Sequence, residues 1–211
     1  MIRFVYGDEL HKYPFLKQSM FQDRAEQFRK RLGWDVTVDL AGEERDQYDA
    51  LNPLYILWEG PDGRHGGSLR ALPTVGRTMT AEHFRHLTHG VKIESPLIWE
   101  VTRFCLAPDA GPGVAAALMM AGCELALRFG IDQGLGVFDA RMTRIYGRIG
   151  FAPEVIGVEG DLRTGIAVGL WNFTEAARRG MSERSGVPEA LVAHWFDEAF
   201  APAPVPAAVA A

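Results

Sequence analysis

The stretch LIWEVTRFCL, residues 97–106, decides the fold. Its β-branched and aromatic side chains make it the strongest strand of the chain and place it at the centre of a sheet. Two charges interrupt it, Glu100 and Arg103. An unpaired charge buried in a central strand costs several kcal/mol, so both need partners. Ideal alternation puts the two on opposite faces, so a bulge or separate partners must follow.

Working outward toward the N-terminus, TAEHFRHLT (80–88) reads as a short helix. LYILWE (54–59), the turn GPDGR and a second strand through GGSLRAL (66–72) read as a hairpin. Residues 35–52, DVTVDLAGEERDQYDALN, are polar and acidic without helical period and predict a loop near the site. Residues 15–32 predict a helix, because Leu16, Met20, Phe28 and Leu32 recur at multiples of four. Arg24 falls inside that apolar stripe and must snorkel outward or meet an anion. IRFVY (2–6) predicts a first strand.

Toward the C-terminus, residues 112–129 predict a helix with Pro112 in its first turn. LGVF (135–138) reads as a strand, 140–149 as a helix stopped by Gly150, and 164–170 as a strand. A helix over 174–179 ends near Gly180. Residues 201–211, APAPVPAAVAA, predict a disordered Ala/Pro-rich tail behind a single domain over 1–200. Hairpins first and alternating helix and strand later imply an α/β (α+β) fold: a three-layer mixed β-sheet with helices on both faces.

A chain of 211 residues suits one domain. Net charge −5 argues against a nucleic-acid binder. Cys105 and Cys123 lack metal-ligand or CxxC spacing and read as reduced core thiols. His11, His65, His83, His86, His89 and His194 show no ligand spacing, so no metal is expected. The start, MIRFVYGDEL, has no basic flank before a long apolar run, and no segment nears the ~20 apolar residues of a membrane span. A cytoplasmic location is the expectation.

Four segments carry polar residues at odds with their surroundings: R-x3-F-x5-W (Arg24, Phe28, Trp34), D-x2-D (Asp46, Asp49), GSLRALPT with Arg70, and WEVTRF with Glu100 and Arg103. Each alone also reads as ordinary surface or core. In this order and spacing the four together resemble the LuxI-type autoinducer synthases, from about residue 1 to 170.

That resemblance implies a GNAT-like (N-acetyltransferase-like) fold with a V-shaped cleft. It implies acyl transfer from an acyl carrier protein, or from acyl-coenzyme A, to the amine of S-adenosylmethionine, followed by lactone closure and release of methylthioadenosine. The product is a quorum-sensing signal. S-adenosylmethionine is then a substrate and no cofactor is called for. Phe28, Trp34 and Phe104 would pack on it, and Asp46 and Asp49 would offset its positive charge. Arg24, Arg70 and Arg103 would brace these carboxylates or hold its carboxylate group. Glu100, with Arg103 the catalytic pair, is the candidate base, since an apolar strand raises a carboxyl toward neutrality. Leu118, Phe138, Met142 and Trp171 are candidates for the acyl pocket, alongside Met119, Met120, Ile145 and Ile149. Phe138 stands where relatives with 3-oxo preference carry a hydroxyl, which favours an unsubstituted or otherwise non-3-oxo chain. Arg144 and Arg148, four apart on one helix face and close to Arg141, are the candidate docking pair for an acidic carrier protein. CLAPDAGPGV lacks the glycine turn with which acetyltransferases cradle a pyrophosphate. Two rival readings are an N-acyltransferase acting on another amine and a non-catalytic S-adenosylmethionine-binding regulator.

Overall fold

The structure, a computed structural model, describes residues 1–161 and 163–201. The tail expected to be disordered lies, beyond Ala201, outside the described residues. Among the described residues seven strands form one sheet: β1 (Ile2–Tyr6), β2 (Leu54–Glu59), β3 (His65–Pro73), β4 (Ile98–Leu106), β5 (Gln133–Asp139), β6 (Glu154–Glu159) and β7 (Ile166–Asn172). Their spatial order is β1-β2-β3-β4-β5-β7-β6. All neighbours are antiparallel except β4 and β5. The stretch 97–106 is therefore the central strand, as its composition demands.

Successive residues of β1 and β2 feed two different cores. Ile2, Phe4, Leu54 and Ile56 pack with helix α3 (Val114–Phe129) on one face. Val5, Tyr55 and Leu57 pack with Leu16, Met20 and Phe21 of helix α1 (Pro14–Arg24) on the other. Alternation along a strand thus yields three layers. Two shorter helices, α2 (Met79–His83) and α4 (Met142–Ile149), and the C-terminal pair α5 (Glu175–Ser185) and α6 (Glu189–Ala199), complete the chain.

Two features of β4 open the sheet. Pairing with β3 slips between Ser68 and Arg70: Ser68 faces Cys105 while Arg70 faces Thr102. The extra residue is a bulge at which Arg103 takes φ +54°, strained for a residue with a Cβ. Pairing with β5 covers only Ile98–Glu100 against Gln133–Leu135. Past that point the strands part, and the wedge between them is the V-shaped cleft. At Gly136 a Cβ would sit 3.2 Å from Val101 O and 3.0 Å from the Trp171 ring, so glycine keeps the wedge clear.

Several expected boundaries need correction. The 15–32 helix does run that far, but residues 25–31 are wound as a π-helix, a wider turn that aims Phe28 and the following loop. The 80–88 helix is two pieces, α2 and a 3-10 turn over Arg85–Thr88, broken where Phe84 leaves helical geometry. The helix expected to stop at Gly180 continues to Ser185; Met181, fully buried beneath it, outweighs the ~1 kcal/mol cost of a mid-helix glycine. Strand β6 and helix α6 had no counterpart in the sequence reading. Pro112 lies before α3, not in its first turn, because the cap is Gly113 at φ +90°.

Gly113 also meets the end of α5: a Cβ there would lie 2.7 Å from Ser185 O. Gly113→Ala should lower stability by about 1–3 kcal/mol in urea unfolding. Gly111→Ala, with no neighbour within 4 Å, should change it by less than ~0.5 kcal/mol. Equal effects would show that the α3–α5 junction is slack.

Candidate active site

Arg24 closes α1 just before the helix widens, and its side chain is fully buried. Nε donates to Glu44 Oε2 at 2.6 Å, and Nη1 and Nη2 donate to the two Asp49 oxygens at 3.0 Å each. Arg70 of β3 is buried as deeply. It donates from Nε to Thr102 Oγ1 (3.0 Å), from Nη1 to Asp46 (2.5 Å) and Asp49 (2.7 Å), and from Nη2 to Asp46 (2.9 Å). Arg103, lifted by the bulge, donates to Glu44 Oε1 from Nε (3.2 Å) and Nη2 (2.9 Å), and its Nη2 lies 2.9 Å from Asp46. The Tyr55 hydroxyl donates to Asp49 at 2.6 Å. Three guanidiniums thus face three carboxylates, and the formal charges cancel.

Burial by itself would push the Asp46 and Asp49 carboxyls up. Arg70 acting on Asp46, and Arg24 on Asp49, outweigh it and hold both below the ordinary aspartate value. Burial likewise works against the Arg24 cation, but Asp49 and Glu44 leave its pKa raised.

One guanidinium edge is left over. Arg103 Nη1 has only Met79 Sδ, at 3.8 Å, as a partner among the described residues. Arg103 lines a cavity of about 550 Å³ that fills the wedge. At the same mouth Phe28 and Trp34 stack at 5.1 Å with their planes 5° apart. The Arg103 guanidinium lies 5.4 Å from the Phe28 ring centre. From there the cavity runs inward past Phe104 to Met119, Phe138, Met142, Tyr146 and Trp171. Arg103 and the Phe28–Trp34 pair make one part of the wall, and most of the rest is apolar, with the Asp139–Arg141 pair also on it.

The structure brings Arg24, Phe28, Trp34, Asp46, Asp49, Arg70, Arg103 and Phe104 together but divides them. Phe28, Trp34, Arg103 and Phe104 form cavity wall; Arg24, Asp46, Asp49 and Arg70 stand behind it, spent on one another. For Arg24 and Arg70 this is the bracing arrangement, one of the two roles expected of them. Leu118 is corrected: it lies outside the cavity wall, and its Cδ1 comes within 2.8 Å of a Cβ built on Gly67 of β3. Met120 and Ile149 are core as well, whereas Phe138, Met142, Met119, Ile145 and Trp171 do line the cavity. Arg144 and Arg148 are exposed on α4, with no ion pair to any described residue.

Glu100 is buried and absent from the cavity wall. Its two oxygens accept the backbone N–H groups of Met79 (2.9 Å) and Thr80 (2.6 Å), at the start of α2. In this arrangement both Glu100 oxygens are engaged, and the carboxylate ties α2 to β4. Glu100 and Arg103 are served both by a bulge and by separate partners.

Sequence reasoning missed Glu44, the fully buried acid that joins Arg24 to Arg103. It sits in the acidic run GEERD, where nothing in composition says which acid turns inward. A Val38–Glu44 bridge and the bond from Glu44 N to Phe21 O set its direction. Also unforeseen is a buried Asp23–His65–Ser68 chain, with His65 Nδ1 2.8 Å from Asp23 and Nε2 2.9 Å from Ser68 Oγ. None of the three borders the cavity, so this chain secures α1 to β3 and offers no reachable nucleophile. Among the described residues no cluster has the make-up of a metal site, and no helix is long and apolar enough to cross a membrane.

The family model "Autoinducer synthase" matches residues 9–171. An acyl-homoserine-lactone synthase of Rhizobium etli is 41% identical over 181 residues, covering 82% of this chain and 85% of that protein. The crystal structure of the AHL synthase LasI superposes with TM-score 0.75 at 26% identity, covering 87% of this chain and 95% of that one. The CoA-dependent acyl-homoserine lactone synthase BjaI, solved with SAM and isopentyl-CoA, matches with TM-score 0.79 at 24% identity, covering 93% and 98%. More distant N-acyltransferases share the fold.

Removing one member of the ionic cluster should be costly. Asp49→Asn should lose about 3–5 kcal/mol at pH 7, read from urea unfolding. Asp49 is depressed in the fold, so its contribution is present above the ordinary value of 3.8 and fades as pH falls below it. The gap between wild type and variant should narrow over that range. A gap that ignores pH would mean the carboxylate is not ionic in the fold.

Proposed function

Because the chain belongs to the autoinducer synthase family, we infer that it is an acyl-homoserine-lactone synthase, an acyltransferase that uses S-adenosylmethionine as its amine substrate. The observation that carries this reading is the single cavity joining the Phe28–Trp34 stack and the free Arg103 edge to an apolar interior.

The aromatic mouth suits a sulfonium, since a cation on an indole or phenyl face gains about 0.5–2 kcal/mol. Arg103 Nη1 is the guanidinium group still able to donate, so it holds the methionyl carboxylate. The apolar interior takes the acyl chain, with the thioester lying between. The amine nitrogen, having given one proton to cleft water, attacks the thioester carbonyl. The C–S bond breaks, and the departing sulfur takes a second proton from the nitrogen to leave as a thiol. A carboxylate oxygen then attacks the γ-carbon, the bond to the sulfonium breaks, and methylthioadenosine leaves neutral. This step needs a folded substrate held still rather than an added acid or base. Arg24, Arg70, Asp46, Asp49 and Glu44 keep Arg103 aimed. Glu100 acts at one remove, fixing α2 and with it Met79 against Arg103.

The rim supports a carrier-protein donor. Arg144 and Arg148 are unpaired with any described residue and lie on the helix that also supplies Met142 and Tyr146 to the cavity. An acidic acyl carrier protein docking there would deliver its arm straight inward, and a coenzyme A thioester would enter by the same mouth. Work in the cytoplasm, where both substrates are made, agrees with this chemistry.

Mass spectrometry of lipophilic products from expressing cells should find an acyl-homoserine lactone. An acylated product of another amine, or none, would replace this reading with one of its rivals. Glu100→Gln should lower kcat at least ~10-fold while keeping the acid limb of the pH–rate profile; loss of that limb would make Glu100 the base after all. Arg144→Glu with Arg148→Glu should raise KM for acyl carrier protein thioesters more than for coenzyme A thioesters. Equal rises would count against a docking face.

A further inference from the structure

Among the described residues of the cavity wall, Tyr146 carries a hydroxyl without a hydrogen-bond partner. Tyr146, on α4, is buried, and its ring is boxed edge-on by Phe138 (5.4 Å, 89°) and Trp171 (5.2 Å, 89°). Phe104 adds a third edge contact at 6.4 Å. Two edge contacts at right angles hold the ring in one place. The other polar atom of this box is accounted for, since Trp171 Nε1 donates to Phe151 O at 3.0 Å.

The Tyr146 hydroxyl is different. No described residue donates to it or accepts from it, although the residue lines the cavity. It is not a sealed orphan either: among the described residues the one fully enclosed side-chain oxygen or nitrogen without a partner is Thr80 Oγ1. The phenol oxygen is therefore not sealed off, and it belongs to a residue of the cavity wall. Burial, with Asp139 nearby, pushes the phenol pKa up, so the group stays a neutral donor and acceptor. Phenylalanine would fill the same box without leaving a hydroxyl in an apolar pocket.

We propose that the Tyr146 hydroxyl is a specificity element that hydrogen-bonds an oxygen substituent, keto or hydroxyl, on the bound acyl chain. The preferred donor is then an oxygen-bearing acyl thioester and not the plain fatty-acyl one. Phe138 presents no hydroxyl at this wall, and its neighbour Tyr146 supplies the polar contact instead. A site built around a hydrogen bond discriminates strongly against a ligand lacking the partner, because the protein group is then left unpaired. The proposal deepens the synthase reading and rests on it.

The test compares kcat/KM for matched eight-carbon thioesters, unsubstituted, 3-keto and 3-hydroxy, offered on acyl carrier protein and on coenzyme A. Wild type should favour at least one oxygen-bearing chain over the plain chain by about tenfold or more. Which of the two leads tells keto from hydroxyl. Tyr146→Phe should collapse that ratio toward one by losing turnover on the substituted chain while plain-chain turnover holds or rises. A wild type that prefers the plain chain overturns the proposal, and so does a variant that loses turnover equally on all three. The wild-type ratio stands as a test even were the variant poorly folded. No lactone from any donor overturns the synthase reading itself, and the proposal with it; lactone without selectivity overturns the proposal alone.

Discussion

Everything in the site depends on pairing three buried arginines with three carboxylates. A guanidinium taken out of water is tolerable only with near-complete compensation. Arg24 and Arg70 reach that state by spending every donor nitrogen on Glu44, Asp46, Asp49 or Thr102. The acids come from residues 44–49, a stretch with little regular structure of its own. The helix α1, the loop and strands β3 and β4 are thereby locked into one relationship by charge as well as by the apolar packing of α1 on the sheet. The cavity mouth inherits its shape from that lock.

The second determinant is the loss of regularity in β4. A perfect strand would hold Arg103 on the face away from Glu100 and would go on pairing with β5 to its end. The bulge brings Arg103 round to the acids, and the early end of β5 pairing makes the cavity. Both departures from ideal geometry occur within residues 98–106, in the same strand whose composition marks it as central.

Much of this was legible in the residues. Period-two and near-four patterns locate the central strand, the 54–72 hairpin and the long helices, because those patterns arise from which face is buried. The charges at 100 and 103 announce an irregularity, since regular pairing would leave one of them stranded. What was not legible depends on three-dimensional closure. Glu44 looks like its neighbours Glu43 and Asp46 until the 38–44 bridge turns it inward. That arginines would brace Asp46 and Asp49 was expected, but sequence alone does not say which arginine meets which acid, because the three come from distant elements. Leu118 and Met119 are adjacent in one helix, yet one packs on the sheet and the other on the cavity. Strand β6 escaped notice because its side chains are mostly exposed, which erases alternation.

The cancellation of charge in the cluster has a consequence for how the small cationic substrate arrives. Three positive and three negative groups packed within a few ångströms cast little field beyond their own neighbourhood, much as a set of opposed dipoles fades quickly with distance. At the Phe28–Trp34 mouth the cluster thus offers contact and little long-range attraction. Any pull over longer range comes from the chain's net charge of −5 and not from the six groups that shape the mouth.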